Sequence, residues 1–163
     1  PVGTYTLVVE RTVSDAVAVG ALGEVLFPAG WYAYVGSAFG PGGFIVVVVS
    51  PYRRSTWPVP SNVGEKYNHH ISRVDRHREI ASGERDVRHW HVDYLLGDPA
   101  TRLDVAVKTA DVEAECAIAG QIGGERVADF GSSDCGCESH LVYREERDVL
   151  VDAVEQAHRD ARE

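Results

Sequence analysis

Trp31-Tyr32-Ala33-Tyr34-Val35-Gly36-Ser37 is aromatic and β-prone, and its reading decides the fold. As a strand it alternates, with Trp31, Ala33 and Val35 on one face and Tyr32, Tyr34 and Gly36 on the other. Upstream, Pro28-Ala29-Gly30 makes a turn. Ala16 to Phe27, interrupted at Gly20 and Gly23, reads as a second strand or a bent pair, and Thr4 to Arg11 (TYTLVVER) as a further strand. Downstream, Gly40-Pro41-Gly42-Gly43 breaks the chain. The apolar run Phe44 to Val49 is too short for pattern alone to separate a buried strand from a buried helix.

Ser50 to Asn68 is rich in Pro, Ser, Arg and aromatics without a helical period, so a loop or insertion is expected there. Ile71 to Ala81 reads as a helix. Ile71, Val74 and Ala81 give its apolar stripe, and Arg73, Arg76, His77 and Glu84 its more polar faces. His89 to Leu96 (HWHVDYLL) is a short extended or helical element, Leu103 to Thr109 a strand, and Glu113 to Ile122 a helix ended by Gly123-Gly124. From Glu145 onward, Val149, Leu150, Ala153, Val154, Ala157 and Ala161 share the broad face of an amphipathic helix, expected to pack on the core.

The chain of 163 residues suits one domain. Residues 1–144 are expected to form it, with 44–70 as an insertion and 145–163 as a C-terminal helix docked on it. No window approaches the roughly 20 apolar residues that span a bilayer. The N-terminal residues run into strand-like sequence without the layout of a secretory signal, so a cytoplasmic location is expected.

A net charge of −9 speaks against a nucleic-acid partner until its distribution is examined. Tyr52 to His91 holds eight Lys and Arg against five Asp and Glu, so it carries +3 and the rest of the chain −12. Five of the seven histidines lie in that stretch. Lys66 and Lys108 are the only lysines, and acids crowd the tail. Together these resemble the proteins of salt-loving archaea, a reading in which the acidity is a solvation adaptation; an ordinary acidic cytoplasmic protein is the alternative. Three cysteines, an odd count, argue against a disulfide framework, and Cys116 is expected to be a small core residue.

Cleaving a phosphodiester needs an aligned nucleophile and positive charge where the phosphate becomes more negative. Gly3-Thr4-Tyr5, Tyr34-Val35-Gly36, Arg73 with His77, and Glu115 follow one another in the order Gly-x-Tyr, Tyr-x-Gly, Arg-x-x-x-His, Glu. In this order the chain resembles the GIY-YIG nuclease superfamily, and within it the Uri-type endonuclease family. Further matching blocks are Gly20 to Gly23, Phe27 to Gly30, Tyr34 to Ala38 with Gly40 to Gly43, His89 to Leu96, Glu115 to Ala117, and Phe130 to Cys135 through His140-Leu141.

The resemblance implies an α+β fold: a small central, mainly antiparallel sheet flanked by helices, interrupted by an insertion and closed by a C-terminal helix. It also implies a metal-dependent endonuclease that hydrolyses DNA. Tyr5 would activate the attacking water and Tyr34 position water or phosphate. A phenol with its ordinary pKa of about 10 is a poor base, so a nearby cation would have to lower it. Arg73 would meet a non-bridging phosphate oxygen through its planar fork, His77 would share that face one turn on, and Glu115 would hold Mg²⁺ or Mn²⁺. Gly36, Ser37 and Arg76 are candidate substrate contacts, with Arg53 and Arg54 as grips on a strand. No second DNA-reading domain is recognisable, so single-stranded or damaged DNA is the expected substrate.

Cys135, Cys137 and His140 offer thiolates and an imidazole suited to zinc, but Cys-x-Cys-x-x-His is one ligand short of a tetrahedral site. The expectation is a hydrogen-bonded loop, with a structural zinc as the alternative. Two other classes compete with the enzyme: a nucleic-acid-binding accessory module that has lost cleavage, and a zinc-stabilised interaction domain.

Overall fold

Strand-prone runs pair with one another here, and the two aromatic segments of the signature are direct neighbours. The structure, a computed structural model, describes residues 2–39, 44–48, 73–88, 90–109, 114–127, 130 and 139–161. β1 (Val2–Arg11) and β4 (Gly30–Phe39) form an antiparallel ladder running from Val2 opposite Phe39 to Arg11 opposite Gly30. The other edge of β1 pairs with β6 (Thr101–Thr109), which in turn pairs with β5 (Phe44–Val48). Beyond β4 come β8 (Leu141–Arg144) and the two-residue β7 (Glu125–Arg126). The order is β5-β6-β1-β4-β8-β7, with every neighbouring pair antiparallel. The expected α+β class is the observed one, and the undecided run at Phe44 is a strand at the sheet edge.

A separate hairpin joins β2 (Asp15–Ala18) to β3 (Glu24–Phe27) through a single 3₁₀ turn at Gly20–Leu22, so Ala16 to Phe27 is a bent pair. The helices are α1 (Arg73–Ser82), α2 (His91–Leu96), α3 (Glu115–Gln121) and α4 (Arg147–Ala161). Among the described residues, no helix is long and apolar enough to cross a membrane.

Period-two alternation divides the core into two layers. Tyr5, Leu7, Val9, Tyr32, Tyr34 and Leu141 pack with α1 and α2 through Ile80, Val92, Leu95 and Leu96, together with Phe27 and Phe130. Val8, Ala33, Val35, Val105, Val107 and Val142 pack on the opposite face against Ile118 and Ala119 of α3 and Leu150, Val154 and Ala157 of α4. The sheet is thus covered on both faces. The register shifts between Val8 and Val9, which pair with Val105 and Leu103. Asp104 is the extra residue of this bulge, and its Oδ2 accepts from Arg147 Nε at 2.6 Å, joining the bulge to the start of α4.

Two expected helix faces need correction. The polar-face assignment of His77 fails, because its imidazole is fully buried with Ile80 against the sheet. On α4, Val149 is 41% exposed while His158 is buried beside Leu150, Val154 and Ala157. Positions i, i+4, i+7 and i+8 from Leu150 make one stripe, and Val149 lies about 100° around the helix from Leu150. In place of Val149 the stripe takes a histidine whose two ring nitrogens are satisfied by Thr6 and Thr109 hydroxyls at 2.7 and 2.9 Å.

Candidate active site

Tyr5 and Tyr34 stand on adjacent strands of one sheet face, and the helix that covers this face supplies His77. The Tyr5 hydroxyl lies 2.6 Å from His77 Nε2. The Tyr5 and Tyr34 rings are 6.5 Å apart between centroids, and the imidazole centroid is 5.4 Å from Tyr5 and 6.3 Å from Tyr34. Tyr5 is 2% and Tyr34 8% exposed, so this is a nearly closed cluster rather than an open groove. Gly36 makes it geometrically feasible. It pairs with Tyr5, and a Cβ there would lie 2.5 Å from the phenol oxygen and 2.6 Å from Cζ. Tyr32, on the same face, bonds locally, its hydroxyl donating to Pro28 O at 2.5 Å.

Behind His77 lies a second polar layer. Asp93, fully buried on α2, accepts both terminal nitrogens of Arg76 at 2.9 Å each, and its Oδ2 also accepts the Trp90 backbone N–H at 2.9 Å. The Arg76 guanidinium carbon sits 4.2 Å from the Trp90 ring centroid. Arg76 therefore has a bidentate partner within the protein, a geometry in which the planar guanidinium is held strongly.

Glu115 opens α3 on the other layer. The Ala114 N–H donates to Thr4 Oγ1 at 3.1 Å, which fastens the start of α3 beside the strand that carries Tyr5. A Glu115 carboxylate oxygen lies 3.6 Å from His140 Nδ1, and Cys116 Sγ is 3.8 Å from His140 Nε2. Burial holds the His140 imidazole below its ordinary pKa, against an opposite pull from the Glu115 carboxylate. Tyr5, Tyr34 and His77 thus make one cluster, while Glu115 and His140 make another on α3's side of the sheet.

Other candidates are placed only in part. Ser37 follows Gly36 on β4 and pairs with Thr4. Arg73 begins α1, but its side chain lies outside the described residues, as do Arg53, Arg54, Cys135 and Cys137. Cys116 corrects an expectation: it is disulfide-bonded rather than a free core thiol. An odd cysteine count rules out complete pairing, but one bridge with one thiol left over satisfies it.

Asp93 has no place in the sequence signature. It does lie within the matching block His89 to Leu96, as a single acid set among Val92, Leu95 and Leu96, three residues after the position where α2 is capped.

As for a metal, Glu115 fits a hydrated Mg²⁺ or Mn²⁺, which keeps several waters and needs few protein carboxylates. Its side chain is 31% exposed, and its imidazole neighbour is biased toward the uncharged form. Asp93 does not fit, since Arg76 and the Trp90 N–H occupy both its oxygens. Among the described residues no group of three or more His, Cys, Asp and Glu side chains could enclose a metal.

The chain matches a family model over residues 4–51 and 59–163. The chain belongs to that family, whose description is "Domain of unknown function DUF123". No curated protein and no solved structure matches it.

Proposed function

We propose that this chain is a divalent-metal-dependent endonuclease of the Uri type within the GIY-YIG superfamily, hydrolysing DNA phosphodiesters, with single-stranded or damaged DNA as substrate and the cytoplasm as its location. The observation that carries the reading is the convergence of Tyr5, Tyr34 and His77, residues far apart in sequence, on one sheet face with the Tyr5 hydroxyl 2.6 Å from an imidazole nitrogen. A phenol with an imidazole nitrogen at hydrogen-bond distance has a partner able to take its proton, which supports tyrosine as an activating group. Glu115 would hold Mg²⁺ or Mn²⁺, which supplies positive charge to the phosphate. Arg73 remains the arginine proposed to meet a phosphate oxygen, since Arg76 is held by Asp93.

The decisive experiment is cleavage of end-labelled single-stranded DNA with Mg²⁺ or Mn²⁺ and its arrest by a chelator. Tyr5→Phe and Glu115→Gln should each lower the rate by roughly 10²-fold or more, the scale of losing one acid-base or electrostatic contributor. One observation favours a second reading, a nucleic-acid-binding accessory module without cleavage: Tyr5 and His77 are almost sealed from solvent. DNA binding without cleavage in either metal would select that reading.

A further inference from the structure

Asp93 lies outside the signature, yet it is the fully buried carboxylate on which the cluster behind His77 converges. Its Oδ1 accepts from Arg76 Nη1 at 2.9 Å and faces His77 Nδ1 at 4.0 Å. Its Oδ2 accepts from Arg76 Nη2 and from the Trp90 N–H, both at 2.9 Å. Trp90 also packs 6.1 Å from the His77 ring, centroid to centroid, and flanks the Arg76 guanidinium. One carboxylate therefore engages two consecutive residues of α1 while its own orientation is fixed by a forked arginine and a backbone donor.

We infer that Asp93 is a positioning residue for the reaction proposed above: it holds the His77 imidazole with its proton on Nδ1, so that the Nε2 lone pair faces the Tyr5 hydroxyl. A neutral imidazole carries one N–H, and the nitrogen nearer a carboxylate is where that proton is favoured. With Nδ1 protonated, Nε2 accepts from the Tyr5 O–H across 2.6 Å and is free to take its proton. With Nε2 protonated, that nitrogen donates to the phenol oxygen instead and has no lone pair to receive the Tyr5 proton. Arg76 balances the charge of Asp93, so the carboxylate acts through proton placement and ring orientation, and a separation of 4.0 Å leaves Coulomb attraction rather than a hydrogen bond as the link.

The effect on rate rests on the nuclease reading; the tautomer does not, and the experiment keeps them apart. Imidazole ¹⁵N spectroscopy of the unaltered protein at neutral pH should show His77 protonated at Nδ1 and unprotonated at Nε2. An Nε2-protonated His77 overturns the inference without any variant. In folded Asp93→Asn the two tautomers should mix, and cleavage of labelled single-stranded DNA at saturating DNA and Mn²⁺ should fall roughly tenfold while DNA affinity stays within about twofold. Asp93→Asn that folds and keeps both tautomer and rate overturns it as well. If Asp93→Asn does not fold, Arg76→Lys, which keeps the carboxylate, should retain the Nδ1 tautomer, and its loss there counts against Asp93. A protein with the expected tautomer that cleaves no DNA refutes the nuclease reading and leaves the placement of His77 by Asp93 supported.

Discussion

Gly36 stands directly opposite Tyr5 in the β1–β4 ladder, and the ring of Tyr5 lies over the space that any side chain on Gly36 would fill. The two halves of the sequence signature are therefore one packing unit. The glycine is needed for close approach and not for a left-handed backbone, since it is not among the positive-φ glycines.

Gly36→Ala should consequently act through Tyr5. Relieving a 2.5 Å approach requires the ring to tilt, which strains the hydroxyl contact to His77. Overpacking of this kind costs about 1–3 kcal/mol, and cleavage should drop with it. Urea unfolding and the DNA assay together check this. A variant with unchanged stability and unchanged turnover would show that the sheet absorbs the methyl and that Tyr5 is not held by Gly36.

Arg76→Ala separates the two arginines of α1. It leaves the Asp93 carboxylate buried without its bidentate partner, a loss of about 3–5 kcal/mol in measured buried pairs. Adding Asp93→Asn to it should recover part of that loss, because the orphaned charge is then gone. Arg73→Ala should lower cleavage roughly 10²-fold. Denaturant titrations of the four proteins give the comparison. A stable, slow Arg76→Ala beside an active Arg73→Ala would exchange their roles.

How much of this was legible follows from the period of each element. A strand alternates rigidly, so reading Trp31 to Ser37 as a strand was enough to put Tyr32 and Tyr34 in one core layer and Ala33 and Val35 in the other. Helix faces are weaker signals when a polar residue is buried by a partner distant in sequence. His77 reads as polar until Tyr5, 72 positions earlier, is seen to meet it. His158 reads as polar until Thr6 and Thr109 satisfy its ring, and it then displaces Val149 from the buried stripe. Asp93 is the same case, since its acid is matched by an arginine 17 positions away on another helix. Glu115 was singled out only by its place in the order of motifs, and its pairing with His140, which depends on β8 lying beside β4, has no sign in the sequence.

The disulfide at Cys116 has a countable consequence. With three cysteines in the chain and Cys116 bridged, denatured but unreduced protein should show one free thiol, and three after reduction. Cys116→Ser should cost about 3 kcal/mol under oxidising conditions and little in reductant, the usual scale for losing one disulfide. Three thiols before reduction would exclude the bridge.

His158 sets the direction of the pH dependence. Desolvation by burial between β1, β6 and the rest of α4 lowers its pKa from 6.5 to about 4. Above pH 6.5 the ring is neutral in both native and unfolded chains, so its burial carries no protonation cost. As pH falls below 6.5 the unfolded chain takes up a proton that the native state refuses until about pH 4, and stability declines through that window. From the shift the loss is about 2 kcal/mol by pH 5, rising to about 3 kcal/mol below pH 4. His140, also held below its ordinary value by burial, adds a loss in the same direction. Replacing only His158, as His158→Gln, should flatten part of the slope between about pH 7.5 and 4.5 and leave the part due to His140. Urea unfolding at those two pH values, in both proteins, measures the difference of differences. If His158→Gln loses as much stability on acidification as the parent chain, the buried ring between Thr6 and Thr109 is not what the acid attacks.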